Sequence, residues 1–388
     1  MSHSMTWAAR LSAAVLAGVV LLGCTEPDIN RERDRLADGD GPITFGLAWP
    51  LTHPKGTLLL GAQMAVDEIN AAGGVLGREL RLDVRDDQRS VDTGMIIAQE
   101  FANNPDLVAA IAHLDSWVAI PSSSVYEYSQ LVMLTPGAVG LPLTQQGFNH
   151  VFRLLPNNAV GARTLAEFAA DSGYNRIITY YINDAFGRDL ANIFEERANE
   201  LSLTIVDRRA YDAVGTNHLS VLESWRDLFD FDAIFLAGSL PDGPQIMELM
   251  REIGIDVPVF SGVGFDSPDL IRLGGDIVEG VVVPTVFHHD IPEPHISDFS
   301  RRFQALHGHF PDPSVAGGYD AVYLLVHAIE STGSARPADI AEALRTLRDW
   351  QGLTGTLSGT PHGELRDGGM ILSIVRDGAF QYLRRGNE

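Results

Sequence analysis

The sequence predicts an α/β fold made of two doubly wound, parallel-sheet lobes. From Pro42 onward, short apolar runs alternate with segments of helical period, as they do in βαβ units. The runs are too many for one small sheet, and the alternation is interrupted near residues 154–158. A chain of 388 residues is long enough for two ordinary domains. We therefore expect one lobe to form on each side of the interruption.

The first series consists of four strands and three helices. Apolar runs predict strands at 43–49, 79–85, 107–112 and 131–135. Helical periodicity predicts helices at 58–71, 92–103 and 117–129. The pair Gly73-Gly74 ends the first helix, as a C-cap does.

The second series continues the alternation and then becomes mostly helical. Strands are expected at 176–181, 203–208, 233–237, 257–261 and 280–284, and within 354–359 and 370–383. Helices are expected at 160–172, 187–201, 216–229, 243–254, 268–273, 296–308, 316–332 and 337–349.

The N-terminus has the features of a bacterial export signal. Arg10 is followed by thirteen uncharged residues and then by Cys24. Such a run is too short for a membrane span, which needs about 20 residues, but it suits a signal-peptide core. The motif L-L-G-C resembles the lipobox of lipoproteins, which implies a signal peptide over 1–23 and lipidation of Cys24. The alternative is a cleaved signal peptide with an incidental cysteine. Residues 24–41 are charged and lack periodicity, so we expect them to form a flexible tether.

Charge and composition exclude several classes of function. The formal charge is −23, which argues against nucleic-acid binding because phosphates need a basic face. Cys24 is the only cysteine, so disulfides within the chain and cysteine-based metal sites are excluded. Lys55 is the only lysine among 28 basic residues.

Ligands of doubly wound sheets bind at the carboxyl ends of the strands, so the loops after the strands hold the candidate residues. In the first lobe these are Trp49, His53 and Lys55 after the first strand, Ser116 and Trp117 after the third, and Gly137, Ala138 and Val139 after the fourth. In the second lobe they are Phe186, then Ser239 and Asp242, then Val263, Phe265 and Asp266.

Several of these positions have an ordinary structural alternative. Ser116 is placed as the N-cap of a helix, where free N–H groups attract a carboxylate or phosphate or simply bind water. Gly137 and Ala138 expose backbone to a ligand, or form a tight turn. Lys55 pairs with an acidic group at the cleft mouth, or is a solvated loop lysine.

Catalytic and metal-binding motifs are weak. The sequence has no G-x-S-x-G, H-E-x-x-H or P-loop motif. His113, Asp115 and Ser116 are too close together in the chain for a nucleophile–base–orienter arrangement. The pair His288-His289 is not expected to bind a metal, because adjacent histidines rarely point at one ion. We therefore expect neither an enzyme nor a cofactor or metal.

Six sequence blocks resemble one family, the type I periplasmic binding proteins of branched-chain amino-acid ABC importers. The blocks are Gly61–Leu80 with the following D-D-Q, I-A-H-L-D-S at 111–116, L-T-P-G-A at 134–138, F-R-L-L-P at 152–156, D-A-F-G at 184–187 and Y-D-A-V at 319–322. The resemblance covers residues 42–388. It implies two lobes joined by a three-strand hinge, with crossings near 157, 286 and 355. Lobe 1 is then 42–157 plus 287–355, and lobe 2 is 158–286 plus 356–388.

The resemblance also implies roles for the candidate residues. Ser116 holds a ligand carboxylate, Gly137 and Ala138 offer backbone, and Phe186 covers the ligand. Ser239 stands where the family often has a Tyr. Val139 stands where a Thr is common, and Val263 aligns with the acidic residue that usually meets the ligand ammonium, with Asp266 as its substitute if the loop is shifted.

These departures predict a different ligand. Burying an ammonium against two valines without a partner would cost several kcal/mol. We therefore expect an apolar ligand with a carboxylate or amide group, enclosed by Trp49, Trp117 and Phe186 as aromatic walls. The expected protein is an extracytoplasmic, membrane-anchored lipoprotein whose partners are this ligand and an ABC permease, with the membrane contacted through the lipid anchor only. A ligand sensor of the same fold and a standard branched-chain amino-acid binder are the alternatives.

Overall fold

Two separate sheets form the framework of the protein, for which the computed structural model describes residues 28–365 and 369–383. The first sheet is entirely parallel and has the strand order β2-β1-β3-β4-β5. Its strands are β1 Ile43–Trp49, β2 Leu80–Asp86, β3 Leu107–Ala112, β4 Val132–Thr135 and β5 Val151–Arg153. Every residue of β3 is buried, as expected of a central strand covered on both faces.

The second sheet has seven strands in the order β14-β13-β10-β9-β8-β6-β7. They are β6 Arg176–Ile182, β7 Thr204–Tyr211, β8 Ala233–Ala237, β9 Val259–Ser261, β10 Val282–Thr285, β13 Ile371–Arg376 and β14 Ala379–Leu383. The first five are parallel to one another, whereas the C-terminal pair adds an antiparallel edge next to β10. The remaining strands, β11 Trp350–Gly352 and β12 Gly355–Leu357, form a hairpin. The predicted fold class of two doubly wound lobes is confirmed.

Twelve α-helices lie in the described ranges and pack around the two sheets. They are α1 Ile29–Ala37, α2 Leu58–Ala71, α3 Val91–Asn103, α4 Ser116–Tyr128, α5 Asn158–Asp171, α6 Ala185–Glu200, α7 His218–Leu228, α8 Asp242–Glu252, α9 Asp269–Gly274, α10 Pro294–His307, α11 Pro313–Thr332 and α12 Pro337–Thr346. None of these helices combines the length and apolar character needed to span a bilayer.

Helices α2 and α11 of lobe 1 make an unusually close contact. A Cβ atom at Gly61 would lie 1.9 Å from the carbonyl oxygen of Val315, and one at Gly318 would lie 2.2 Å from that of Leu58. The two backbones therefore touch directly, and only glycine fits at these positions. At the adjoining helix starts, the hydroxyl of Thr57 donates to the carboxylate of Asp312 at 2.9 Å.

The chain passes between the lobes three times. It leaves the first sheet after Arg153 and enters α5 of lobe 2, and it returns after Thr285 toward α10. The third crossing was predicted near residue 355, which is wrong. Leu357 and Leu365 belong to the core of lobe 1. The backbone of Arg153 also bonds with Gly363 and Leu365, so the chain leaves lobe 1 only after Leu365.

The prediction of a flexible tether over residues 24–41 is wrong for the part that the structure describes. Asp28 caps α1, which packs on lobe 1. Within α1 the side chain of Arg33 is 1% exposed and donates to the carbonyl oxygens of Ala102 and Ser129, at 2.7 and 3.1 Å. The predicted signal peptide 1–23 and lipidation site Cys24 lie outside the described residues.

Candidate functional site

A cavity of about 560 Å³, open to solvent, lies between the lobes at the carboxyl ends of their strands. It is enclosed by the loops after β1 to β4 of lobe 1 and by those after β6, β8 and β9 of lobe 2. Its lining consists of His53, Lys55, Arg89, Leu114, Asp115, Ser116, Trp117, Gly137, Val139, Asp184, Phe186, Ser239, Leu240, Val263 and Gly264. Ligand sites of doubly wound proteins lie at this edge.

Ser116 presents its hydroxyl and the start of α4 to the cavity. The N-cap of α4 is Asp115, so the prediction that placed Ser116 at the cap is wrong by one residue. The Oγ of Ser116 accepts a hydrogen bond from the backbone N–H of Gly140 at 2.9 Å. Its own proton therefore remains available to a ligand acceptor, beside the N-terminal end of the helix dipole.

Position 137 requires a glycine because neighbouring residues of the protein leave no room for a side chain. A Cβ at this position would lie 2.4 Å from the ring of Trp49 and 2.9 Å from the Cα of Leu114. Trp49 is 1% exposed and does not line the cavity; its indole N–H donates to the carbonyl oxygen of Lys55 at 2.8 Å. The side chain of Ala138 is likewise buried in the lobe 1 core. Trp49 thus supports the wall of the site from behind.

Apolar side chains from both lobes make up much of the remaining wall. Val139 and Leu114 face the cavity from lobe 1, and Phe186, Leu240 and Val263 face it from lobe 2. Val139 is only 5% exposed, so a ligand in the cavity could contact only a small part of this residue. The side chains of Val139 and Val263 therefore contribute apolar surface and no charge to the wall.

Lys55 connects the two lobes directly. Its ammonium donates to the backbone carbonyl of Val263 at 2.8 Å. Burial lowers the pKa of Lys55, and the nearby carboxylates of Asp266 and Asp312 partly oppose this shift. Burial raises the pKa of Asp266 to about 7, although the charge of Lys55 acts in the opposite direction. Asp266 does not line the cleft but faces a second cavity of about 650 Å³, which it shares with Asp312.

An ion pair forms the rim next to Ser116. The guanidinium of Arg89 makes two hydrogen bonds with the carboxylate of Asp115, at 2.8 and 3.1 Å. The same guanidinium lies 5.1 Å from the ring centre of Trp117, a cation–π distance. The charges of Arg89 and Asp115 thus compensate each other, and the indole of Trp117 is held in place.

Two further titratable groups face the cavity. Asp184 caps α6 by accepting from the N–H of Gly187 at 2.8 Å, and burial raises its pKa. Burial, assisted by the positive charges of Arg89 and Lys55, lowers the pKa of His53 to about 4. His53 is therefore neutral near pH 7, while Asp184 is an acidic group on the lobe 2 wall.

The structure brings together most of the predicted site residues. Those that line the cavity are Lys55, Ser116, Trp117, Gly137, Val139, Phe186, Ser239 and Val263. Trp49, Ala138 and Asp266 do not line it. Of the other candidates at strand ends, His53 lines the cavity, whereas Asp242 and Phe265 do not. Lining residues that were not among the candidates for ligand binding are Arg89, Leu114, Asp115, Asp184, Leu240 and Gly264. Arg89 follows the end of β2, so the rule of examining each strand end would have found it there as well.

Two clusters of titratable residues do not add a catalytic or metal centre. His113 is fully buried and pairs with Asp87 at 2.8 Å, away from Ser116. His288, His289 and Asp290 have potential ligand atoms within 4.8 Å of one another. Both ring nitrogens of His288 are already engaged, by the carbonyl of Phe380 and the N–H of Asp290. A cation would therefore retain only two ligands from this group.

A cleft of this kind between two doubly wound lobes defines a class of two-lobed proteins that enclose a small solute. The chain belongs to the periplasmic binding protein family, whose sequence profile matches residues 42–379, and to the type I branch that includes branched-chain amino-acid binders. The recognition of this family from sequence is confirmed.

Individual relatives support the same assignment. The Leu/Ile/Val-binding protein homolog 1 of Brucella suis is 25% identical over 354 residues, covering 88% of this chain and 94% of the relative. The leucine-, isoleucine-, valine-, threonine- and alanine-binding protein of Pseudomonas aeruginosa is 24% identical, covering 84% and 87%. An ABC transporter substrate-binding protein from Desulfitobacterium hafniense, solved in complex with Leu, is 35% identical with a TM-score of 0.79, covering 88% and 100%. These relatives are solute-binding proteins, and the expectation of a non-enzyme is confirmed.

Proposed function

We propose that this chain is a lipid-anchored solute-binding protein that delivers a small carboxylate- or amide-bearing ligand with an apolar body to an ABC permease. The observation that carries the proposal is the chemistry of the cavity wall. A hydroxyl and a helix N-terminus at Ser116 are combined with the ammonium of Lys55, whereas the side chains of Val139 and Val263 offer no partner to a ligand ammonium.

Lys55 is the lining cation best suited to an acidic ligand group. Arg89 is already paired with Asp115. In the described part of the chain, no carboxylate oxygen lies within 4.0 Å of the Lys55 ammonium, whose hydrogen-bond acceptor is the carbonyl of Val263. A ligand carboxylate near Lys55 would offset part of the free-energy cost of burying this charge.

The mechanism is closure of the lobes around the ligand. The open protein binds ligand on one lobe, and contacts from the other lobe then stabilise the closed form. The hydrogen bond from Lys55 to Val263 and the ring of Phe186 are the contacts that lobe closure would complete. The ligand thus shifts the equilibrium between the open and the closed form, because it binds the closed form more tightly than the open one.

A standard branched-chain amino-acid binder is the second candidate, and Asp184 favours it. Asp184 lines the cavity, and no cation of the described residues lies within 4.0 Å of its carboxylate. An ammonium at that position would gain a partner that the two valines do not provide. The relative solved in complex with Leu, at 35% identity, points the same way.

Calorimetry with three ligands of identical carbon skeleton separates these candidates. The ligands are leucine, 4-methylpentanoate, which lacks the amino group, and 4-methylpentanamide, which also lacks the charge. We expect 4-methylpentanoate to bind about tenfold or more tightly than leucine, a difference of about 1.4 kcal/mol. Micromolar leucine binding with weaker binding of the acid would refute the proposed ligand class and establish the second candidate.

The anchor and the transport role rest on different evidence. Cys24 after an uncharged run of thirteen residues supports the lipid anchor, which mass spectrometry of the membrane-extracted protein tests directly. Family membership supports an ABC permease as partner. A sensor of the same fold is the alternative. Loss of ligand uptake on gene deletion supports transport, whereas normal uptake with loss of a transcriptional response supports sensing.

A further inference from the structure

Helix α1 fastens the beginning of the described chain to lobe 1. Besides its bonds to Ala102 and Ser129, the guanidinium of Arg33 donates to the side-chain oxygen of Asn30 at 2.7 Å. At the C-terminal end of the helix, the guanidinium of Arg78 donates to the carbonyl oxygen of Ala37 at 2.5 Å. The helix is therefore held at its middle and at its C-terminal end, and it cannot act as a loose spacer.

The position of α1 leaves a very short connection to the proposed lipid. Four residue steps separate Cys24 from Asp28, which caps the helix. Fully extended, four residues span at most about 14 Å. A free tether up to Gly41, by contrast, would reach roughly 60 Å. With a lipid on Cys24, the start of α1 must stay close to the bilayer surface.

A groove with an uncharged lining lies next to the start of α1, where Asp28 and Arg31 form an exposed ion pair. The groove is lined by Ile29, Asn30, Gln99, Ala102, Asn103, Ser124, Val125, Tyr128 and Ser129, none of which carries a charge. Tyr128 is 92% exposed, and Ile96, one turn before Gln99 on α3, is 60% exposed. Tyrosine is enriched at membrane–water interfaces, where its ring meets the headgroups and its hydroxyl meets water.

We propose that this α1 face, consisting of the groove residues and Ile96, rests against the phospholipid surface and orients lobe 1 on the membrane. The inference depends on the proposed lipidation of Cys24. Two independent features support it, namely the reach of the connecting segment and the uncharged, partly apolar lining of the groove beside it. On a chain with a formal charge of −23, such a surface is repelled least by anionic headgroups.

The single cysteine of the chain makes a direct test practical. The thiol of Cys24 is consumed by lipid attachment, so an introduced cysteine is the only reactive thiol of the lipoprotein. A fluorophore is attached at Gln99→Cys, an exposed position in the groove, or at Val214→Cys, a 90% exposed control position on lobe 2. The labelled lipoproteins are reconstituted into phosphatidylcholine–phosphatidylglycerol vesicles that contain a headgroup-linked quencher.

We expect quenching at position 99 to exceed that at position 214 by at least about twofold, because only the former lies near the headgroups. Inserting about 20 Gly and Ser residues after Pro27 adds a random coil of roughly 25 Å and should remove the difference. Equal quenching at the two positions, on vesicles that retain the protein, would overturn the proposed face and leave the anchor intact. Mature protein from membranes that carries no lipid on Cys24 would overturn both the anchor and the proposed face.

Discussion

The ammonium of Lys55 donates a hydrogen bond across the cleft to the backbone carbonyl of Val263, 2.8 Å away and on the opposite lobe. The two residues are 208 positions apart in the sequence. This contact places the only lysine of the chain between the ligand cavity and the carboxylates of Asp266 and Asp312. We therefore expect its charge to respond both to a bound ligand and to closure of the lobes.

The titration of Lys55 can be followed without interference from other lysines. After reductive methylation with ¹³C-formaldehyde, NMR should show a pKa below the ordinary value of about 10.4, because burial disfavours the charged form. Asp266→Asn should lower this pKa further, because it removes a nearby negative charge. Asp227→Asn, at an exposed ion pair of lobe 2, is the control and should leave it unchanged. A wild-type pKa of 10.5 or more would contradict the burial of this amine.

Val139→Thr should shift the ligand preference toward amino acids. The two side chains have nearly the same shape, and the new hydroxyl enters the cavity wall as a hydrogen-bond partner. One such bond contributes about 0.5–1.5 kcal/mol, so calorimetry should show leucine binding roughly 2–10 times more tightly. Val221→Thr, which lies outside the cavity on lobe 2, should have no effect. Unchanged leucine affinity in Val139→Thr would show that this position does not face the ligand.

Asp184→Asn distinguishes an acidic ligand from a zwitterionic one. Asparagine also caps helices, so α6 should remain folded. For 4-methylpentanoate we expect equal or tighter binding, because a negative charge leaves the cavity. A tenfold or greater loss of leucine affinity, about 1.4 kcal/mol, would instead identify Asp184 as the partner of a ligand ammonium. Circular dichroism of the variant provides the check on folding.

Gly137→Ala should disturb the packing that supports the cavity wall. The added methyl group would overlap with the ring of Trp49 and the backbone of Leu114. Overpacking of this kind costs about 1–3 kcal/mol, which denaturant unfolding should detect together with weaker ligand binding. The matched control is Gly41→Ala, where nothing lies within 4 Å of the added Cβ. If Gly137→Ala were as stable as Gly41→Ala, the packing of Trp49 against the loop would be in error.

Glu364→Gln should destabilise the lobe 1 end of the third crossing. Arg153 is fully buried and ion-paired with Glu364. Removal of one partner from a buried pair costs roughly 3 kcal/mol, whereas Glu342→Gln at an exposed pair should cost less than about 0.5 kcal/mol. Equal unfolding free energies for the two variants would contradict this account.

The same ion pair predicts the direction of a pH effect. Burial alone would raise the pKa of Glu364, but the hydrogen bond and charge of Arg153 lower it below its ordinary value of 4.5. The stabilisation is therefore present above pH 4.5 and is lost as the pH falls through the lower folded-state value. The stability difference between wild type and Glu364→Gln should shrink in acid, as measured by urea unfolding at pH 3 and pH 7.

The strands could be predicted most accurately where burial makes the sequence continuously apolar. The limits of β3 and β8 agree with the prediction at both ends. The short strand β5 was missed, because three residues, V-F-R, are too few to show a periodic pattern. In addition, Arg153 is buried with the help of its bond to Glu364, which lies 211 residues away in the sequence. Helix α1 was missed for a related reason. Its buried positions are Arg33 and Ala37, so a hydrophobic stripe is absent although the spacing is helical.

The site was predictable at the level of loops, and less so at the level of side chains. Parallel strands bring their carboxyl ends to one edge, which is why Ser116, Phe186 and Val263 all line the cavity. The same rule does not give the direction of each side chain, so Trp49 and Asp266 were assigned to the cleft although they face elsewhere. The ion pair of Arg89 with Asp115 joins two loops and leaves no local signal in either.

The direct backbone contact of α2 with α11 has a mechanical consequence. At Gly61 and Gly318 the backbones of the two helices are in direct contact, so a side-chain rotamer change cannot absorb a displacement at these contacts. The hydrogen bond from Thr57 to Asp312 joins the same helices at the edge of the cleft. We therefore expect lobe 1 to move as a rigid body, with the bending that opens the protein concentrated in the three crossing segments. Amide exchange in α2 and α11 should stay slow with or without ligand, while the crossings respond to it.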